Sequence, residues 1–285
     1  MAWEMGVFVK APTSMVEEAN AAGAALCVNV TGKFCIKRSG YVVVSHSWYE
    51  SMGWDGPGGV VEVDLGLRKR GIQKRHLCRF FDRCDAEWLW LDFIAMPEVL
   101  EDMSESERTE TERLRVGVLN NLHAIYTQAD HLVVLDNLTI QLQTGSLIDV
   151  GVVLCAGRWI QSTWTLTESC LAKEVKIATA GGMKSLDDVI EALDVPTLSD
   201  SHRYYVLWLR LSTCRVPLDQ ENTRVDRFFT AWKSRCAFDP ADRIKALYPF
   251  LRMTWGVGWS TEQGIEHLTR HTQLHLPESS PGVSR

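Results

Sequence analysis

The first long apolar run of the chain is Tyr41 to Val44, inside GYVVVS (40–45), and no polar residue interrupts it on alternate positions. β-formers without alternation mark a strand buried on both faces, as in a parallel sheet. A polar, Gly-rich stretch, SHSWYESMGWDGPGG, comes next, followed by a helix predicted over about 65–85 with Ile72, Leu77, Phe80 and Phe81 as its apolar positions. EWLWLDF (87–93) reads as a second strand and HLVVL (131–135) as a third. Between them, Ser104 with Glu107 forms a capping-box signature, and Leu114, Val118, Leu122, Ile125 and Tyr126 recur at helical spacing up to Gln128. Two shorter helices are predicted at 147–155 and 162–172, then a final strand at 174–178 closed by Gly181 and Gly182. This alternation predicts an α/β fold in which helices cover both faces of a parallel sheet.

After Gly182 the period becomes helical. Ser185 caps a segment in which Leu186, Val189, Ile190 and Leu193 share one face. Further helices are predicted at 201–214 and 221–235, and Asp239 with Pro240 makes an N-cap and first-turn pair for a helix to about Leu251. The layout is therefore a segment without a readable motif (1–39), a sheet domain (40–182), an α-helical C-terminal region (183–271) and a tail (272–285) predicted to be disordered.

Composition narrows the classes. With 46% hydrophobic and 23% charged residues over 285 positions, the chain can build a core, which excludes disorder as its main state. Thirty basic against thirty-six acidic residues give a net charge of -6, which argues against a nucleic-acid partner. The eight cysteines include no Cys-x-x-Cys pair, so no zinc or other metal site is expected. The start, MAWEMGVFVKAPTSM, has no basic segment followed by an apolar one, so reduced, buried thiols in the cytoplasm are expected. Ala21 to Val30 is too short to span a bilayer, and no membrane contact is expected.

In open α/β sheets ligands bind beyond the carboxyl ends of the strands. Ser45, His46 and Trp48 stand after the first strand, and Asp92 after the second. Trp164 and Glu168 lie four apart on a predicted helix and share a face, setting an aromatic plate beside a carboxylate. That pairing suits a flat heterocycle and a developing positive charge. Each residue also has a plainer role: Ser45 and Asp92 as caps, His46 bonded to backbone, Trp48 anchoring its loop, Trp164 in the core, Glu168 in solvent. Adjacent Ser45 and His46 cannot easily aim at each other, so a Ser-His-Asp hydrolase is disfavoured. The phosphate-binding Gly-x-x-x-x-Gly-Lys-Ser/Thr loop and the Gly-x-Gly-x-x-Gly fingerprint are both absent.

Five segments carry a resemblance in order along the chain. YVVVSHSW resembles the opening motif of the fungal heterokaryon-incompatibility (HET) domain, WLWLDFIAMPE the second, IYTQADHLVVLD the third and RWIQSTWTLTES the fourth. SRCAFDPADRIKALYPFL is similar to the Asp-Pro-x-Asp-Arg segment that often follows the domain. Departures are Thr167 and Glu98 where the family more often has Gln, and a second motif without its usual Cys-Ile-Asn or Cys-Ile-Asp. HET domains resemble the TIR fold, so the resemblance implies a flavodoxin-like sheet. It also implies cleavage of NAD or a related nucleotide, as substrate and with no separate cofactor, in a defence or cell-death response gated by self-association. Glu168 then falls at the catalytic glutamate, with Ser45, His46, Trp48, Asp92 and Trp164 as substrate contacts. The alternative is a non-enzymatic signalling module that uses the same fold for assembly.

Overall fold

The computed structural model describes residues 8–47, 61–64, 69–97, 99, 102–143, 145–194, 201–215, 221–237 and 239–272. Along the chain these form Phe8–Val9 (β1), Thr13–Ala22 (α1), Ala25–Asn29 (β2), Phe34–Lys37 (β3), Val42–His46 (β4), Val61–Asp64 (β5) and Lys69–Gln73 (β6). Then come Lys74–Cys84 (α2), Trp88–Trp90 (β7), Asp92–Ala95 (α3), Glu105–Gln128 (α4), His131–Leu135 (β8), Leu147–Ala156 (α5) and Thr163–Leu171 (α6). Val175–Thr179 (β9), Gly182–Ser185 (β10) and Leu186–Leu193 (α7) close the sheet region. Ser201–Ser212 (α8), Glu221–Lys233 (α9), Pro240–Lys245 (α10), Leu247–Phe250 (α11) and Thr261–Thr272 (α12) complete it.

The protein is α/β. Its main sheet has seven strands in the order β10-β9-β8-β4-β7-β2-β3. The four middle strands, β9, β8, β4 and β7, are parallel, and β10, β2 and β3 add antiparallel edges. β4 is buried along its whole length, as its unbroken apolar run requires of a strand flanked on both sides and covered on both faces. From β4 the chain runs to β7 on one side, then crosses to β8 and β9 on the other. The crossover is α4, opened by the predicted capping box: Ser104 accepts from the Glu107 amide, and the Glu107 carboxylate accepts from the Ser104 amide. α4 presents Leu114, Val118, Leu122, Ile125 and Tyr126 to the core.

Several expectations change at their edges. The predicted helix over 65–85 is a strand and then a helix: β6 pairs with β5 and β1 in a separate three-stranded sheet, and only 74–84 are helical. Lys69–Gln73 carries a single large apolar residue, Ile72, so a helical stripe had little to rest on there. EWLWLDF contributes only Trp88–Trp90 as strand, because Asp92 starts a one-turn helix. A further strand, β10, turns back on β9 through Gly182, whose φ of 103° lies in a region that glycine occupies without strain. The segment 1–39 contributes β2 and β3 to the main sheet and α1 to one of its faces, against α4. All eight cysteines are free thiols, but Cys236 is exposed, contrary to the expectation of buried thiols throughout. No helix among the described residues is long and apolar enough to cross a membrane.

The C-terminal helices roof α6. Eight of its nine residues are buried, including four with hydroxyls, and all of these but Thr163 donate to a backbone carbonyl. Thr167 donates to the Ala246 carbonyl between α10 and α11 (2.8 Å), and Thr165 to the Trp159 carbonyl. A short parallel bridge joins the start of α6 to Cys236, with Thr163 N to Cys236 O at 2.9 Å and Cys236 N to Gln161 O at 2.8 Å. Asp239 caps α10 as predicted. The guanidinium of Arg243 lies 4.5 Å over the Trp232 ring and donates to Lys233 O, tying α9 to α10.

Candidate functional site

The register of β4 on β8 sets Ser45 opposite Val134 and His46 opposite Leu135, so both stand at the carboxyl ends of the parallel strands, where the chain order reverses. Successive strand residues point to opposite faces. Ser45 reaches Glu168 of α6, and His46 reaches Asp92 at the start of α3.

Ser45 donates its hydroxyl proton to Glu168 Oε2 and accepts the indole N–H of Trp159 at 2.8 Å. Tyr126, at the end of α4, also hydrogen-bonds the Glu168 carboxylate. His46 Nε2 lies 3.0 Å from Asp92 Oδ1, which also accepts from the Phe93 amide at 2.7 Å. The Phe93 ring meets the imidazole edge-on, with centroids 5.3 Å apart. Three elements, β4, α3 and α6, thus bring Ser45, His46, Asp92 and Glu168 to one end of the sheet, with Tyr126 and Trp159 beside them.

The electrostatics follow from burial. Glu168 is 7% exposed, and loss of hydration pushes its carboxyl up to about 7. The Ser45 hydrogen bond opposes the rise, the Asp92 charge adds to it, and His46 and Tyr126 oppose it. Burial works against the charged form of His46, but the charge and hydrogen bond of Asp92, helped by Glu168, raise its pKa overall. Tyr126 is raised well above the usual phenol range, first by burial and then by the Glu168 and Asp92 charges, so it stays a hydroxyl donor. Among the described residues, no group of three or more His, Cys, Asp or Glu side chains is arranged to hold a metal ion.

Two predicted contacts fall elsewhere. Trp164 is one turn before Glu168 but is half-buried against the core and outside the hydrogen-bonded cluster. Trp48 lies outside the described residues. A Ser-His-Asp triad is not formed, because the Ser45 hydroxyl is committed to Glu168 and Trp159.

Three residues of the site were not among those expected. Tyr126 reads in sequence as one more apolar position of a helix, yet a buried tyrosine needs a partner for its hydroxyl. Trp159 is fully buried, and its indole N–H needs an acceptor there. Asp136 directly follows β8 and is also fully buried. Its carboxylate accepts from the amides of Leu138 (3.0 Å), Thr139 (3.2 Å) and Trp159 (3.5 Å), fastening the Trp159 segment to the end of β8. Examining the residue after the third strand, as after the first two, finds Asp136. A Cβ on Gly157 would come 2.2 Å from Asp136 Oδ2, so the close approach requires glycine.

Fold and site define an α/β protein with a buried acid–hydroxyl cluster and a His–Asp pair at the carboxyl ends of its parallel strands. No protein-family model, curated protein or solved structure matches the chain.

Proposed function

We propose that the chain is a HET-type domain of TIR-like fold that hydrolyses NAD at the nicotinamide–ribosyl bond, with Glu168 stabilising the ribosyl cation. The reading rests on one observation above all: the Glu168 carboxylate is held by Ser45 and Tyr126 at the end of the central parallel strand, in the electrostatic field of His46 and Asp92. The order β7-β4-β8-β9 also fits a flavodoxin-like sheet, whose ligand crevice opens between its first and third strands, here β4 and β8. The HET-like motifs supply the substrate class.

The chemistry needs few groups. The nicotinamide nitrogen of NAD is already cationic, so the C–N bond breaks with its electron pair going to the ring, and the base leaves neutral without a proton donor. Positive charge passes to the ribosyl carbon and ring oxygen. A nearby carboxylate offsets that charge most strongly in a site shielded from water. Water then adds to the ribosyl carbon and releases one proton, giving ADP-ribose and nicotinamide. Glu168 acts as its anion, so release should rise with pH through about 7 and level off above it. In this reading Asp92, whose side chain is 20% exposed, accepts from a ribose hydroxyl.

We include in the proposal a cytoplasmic role in defence or cell death, switched on by self-association. A second reading is favoured by the burial of Glu168 within its own hydrogen bonds, which also suits a structural cluster in a non-enzymatic assembly module. Nicotinamide release from NAD by the full chain at high concentration, with and without a crowding agent, separates the two. Release that is lost in Glu168→Gln supports the enzyme. Absence of release under both conditions supports the module, and equal release by the variant removes Glu168 from the mechanism.

A further inference from the structure

Outside the Glu168 cluster, α12 carries His267 and His271 one turn apart, with ring centroids 4.3 Å from each other. Hydrogen bonds fix the tautomer of both rings. His271 Nδ1 lies 2.8 Å from the His267 carbonyl, which can only accept, so His271 carries its proton on Nδ1. The single hydroxyl proton of Tyr248 goes to Gly264 O at 2.8 Å, so Tyr248 accepts from His267 Nδ1, 3.3 Å away. Each imidazole is therefore left with its lone pair on Nε2.

We propose that His267 and His271 form a two-histidine site for a divalent late first-row transition ion, with Ni²⁺, Cu²⁺ and Zn²⁺ as the class and water completing the coordination. The chemistry fits in two ways. Neutral imidazole suits these ions, and histidines at i and i+4 share one helix face. A second-shell hydrogen bond at Nδ1 is what orients a metal-bound histidine and raises its basicity, and both rings have one. The Arg270 charge is offset by its ion pair with Glu266. With two protein ligands the ion is exchangeable, unlike a closed four-ligand structural zinc.

The test uses the full chain without an affinity tag, titrated with NiCl₂ in excess Mg²⁺, with bound nickel counted by equilibrium dialysis. Tryptophan fluorescence gives a local reading, because the Trp259 ring lies 4.8 Å from His267 and a paramagnetic ion there quenches it. One Ni²⁺ per chain is expected, with His271→Ala weakening its affinity at least tenfold and abolishing the quench. His271 is exposed, so this variant should keep its fold, which circular dichroism checks. Equal binding by wild type and variant, or no binding by wild type at millimolar nickel, would overturn the proposal.

Discussion

Each group at the candidate site has its options narrowed by its neighbours. Ser45 has one proton and gives it to Glu168, because the Trp159 indole occupies its acceptor side. Trp159→Phe keeps most of the buried volume but removes that N–H, freeing the serine hydroxyl to turn. The carboxylate then loses part of its support, so its pKa should rise and the rising limb of the nicotinamide-release profile should move to higher pH. An unchanged profile would show that the indole only fills space. Glu168 also sets a pH dependence of stability. Its folded pKa, about 7, lies above the ordinary value of 4.5, so its contribution is fully present below pH 4.5 and is lost as pH rises through 7. Glu168→Gln cannot ionise. Relative to wild type it should therefore gain on the order of 2–3 kcal/mol between pH 5 and pH 8, measured by urea unfolding.

Among the elements, what was legible depended on how strongly each segment's pattern matched its surroundings. β8 and α4 were read to the residue because their signals, an unbroken apolar run and a capping box, are local. β6 was misread because it pairs in a separate three-stranded sheet, and its short sequence, with Ile72 its only large apolar residue, carries no strong pattern of either kind. The strand-end rule found Ser45, His46 and Asp92, and helical spacing found Glu168. Tyr126 and Trp159 were not legible as site residues, because in sequence nothing separates an aromatic whose polar atom is used from one that only packs. Gly157 shows the same limit: its φ of -72° suits any residue, and only the nearness of Asp136 makes glycine necessary. Gly157→Ala should shift Asp136 off the Trp159 segment and destabilise the protein by roughly 1–3 kcal/mol, the usual cost of overpacking. Unfolding that matches wild type would show that the carboxylate can move aside freely.

Across the whole molecule, the helical C-terminal region is part of the structure that holds the site. α6 is buried nearly all round because α9, α10 and α11 pack on the side turned away from the sheet, where Phe228 stacks on Phe250 with centroids 3.7 Å apart. Without that roof, the hydroxyl of Thr167 loses its carbonyl acceptor and the amide of Thr163 loses its partner on Cys236. A chain ending at residue 194 would retain every strand of the main sheet and Glu168 itself, yet it would expose the far face of α6. We expect such a fragment to lose the cooperative thermal transition of the full chain and to release no nicotinamide. Thr167→Val tests the same coupling more gently, because it deletes the one side-chain hydrogen bond from α6 to the Ala246 carbonyl while nearly preserving shape. It should cost about 1–3 kcal/mol. If release fell further than this loss of folded protein accounts for, the C-terminal helices would be helping to set the position of Glu168. If release fell only in proportion to folded protein, they would act on the site through stability alone.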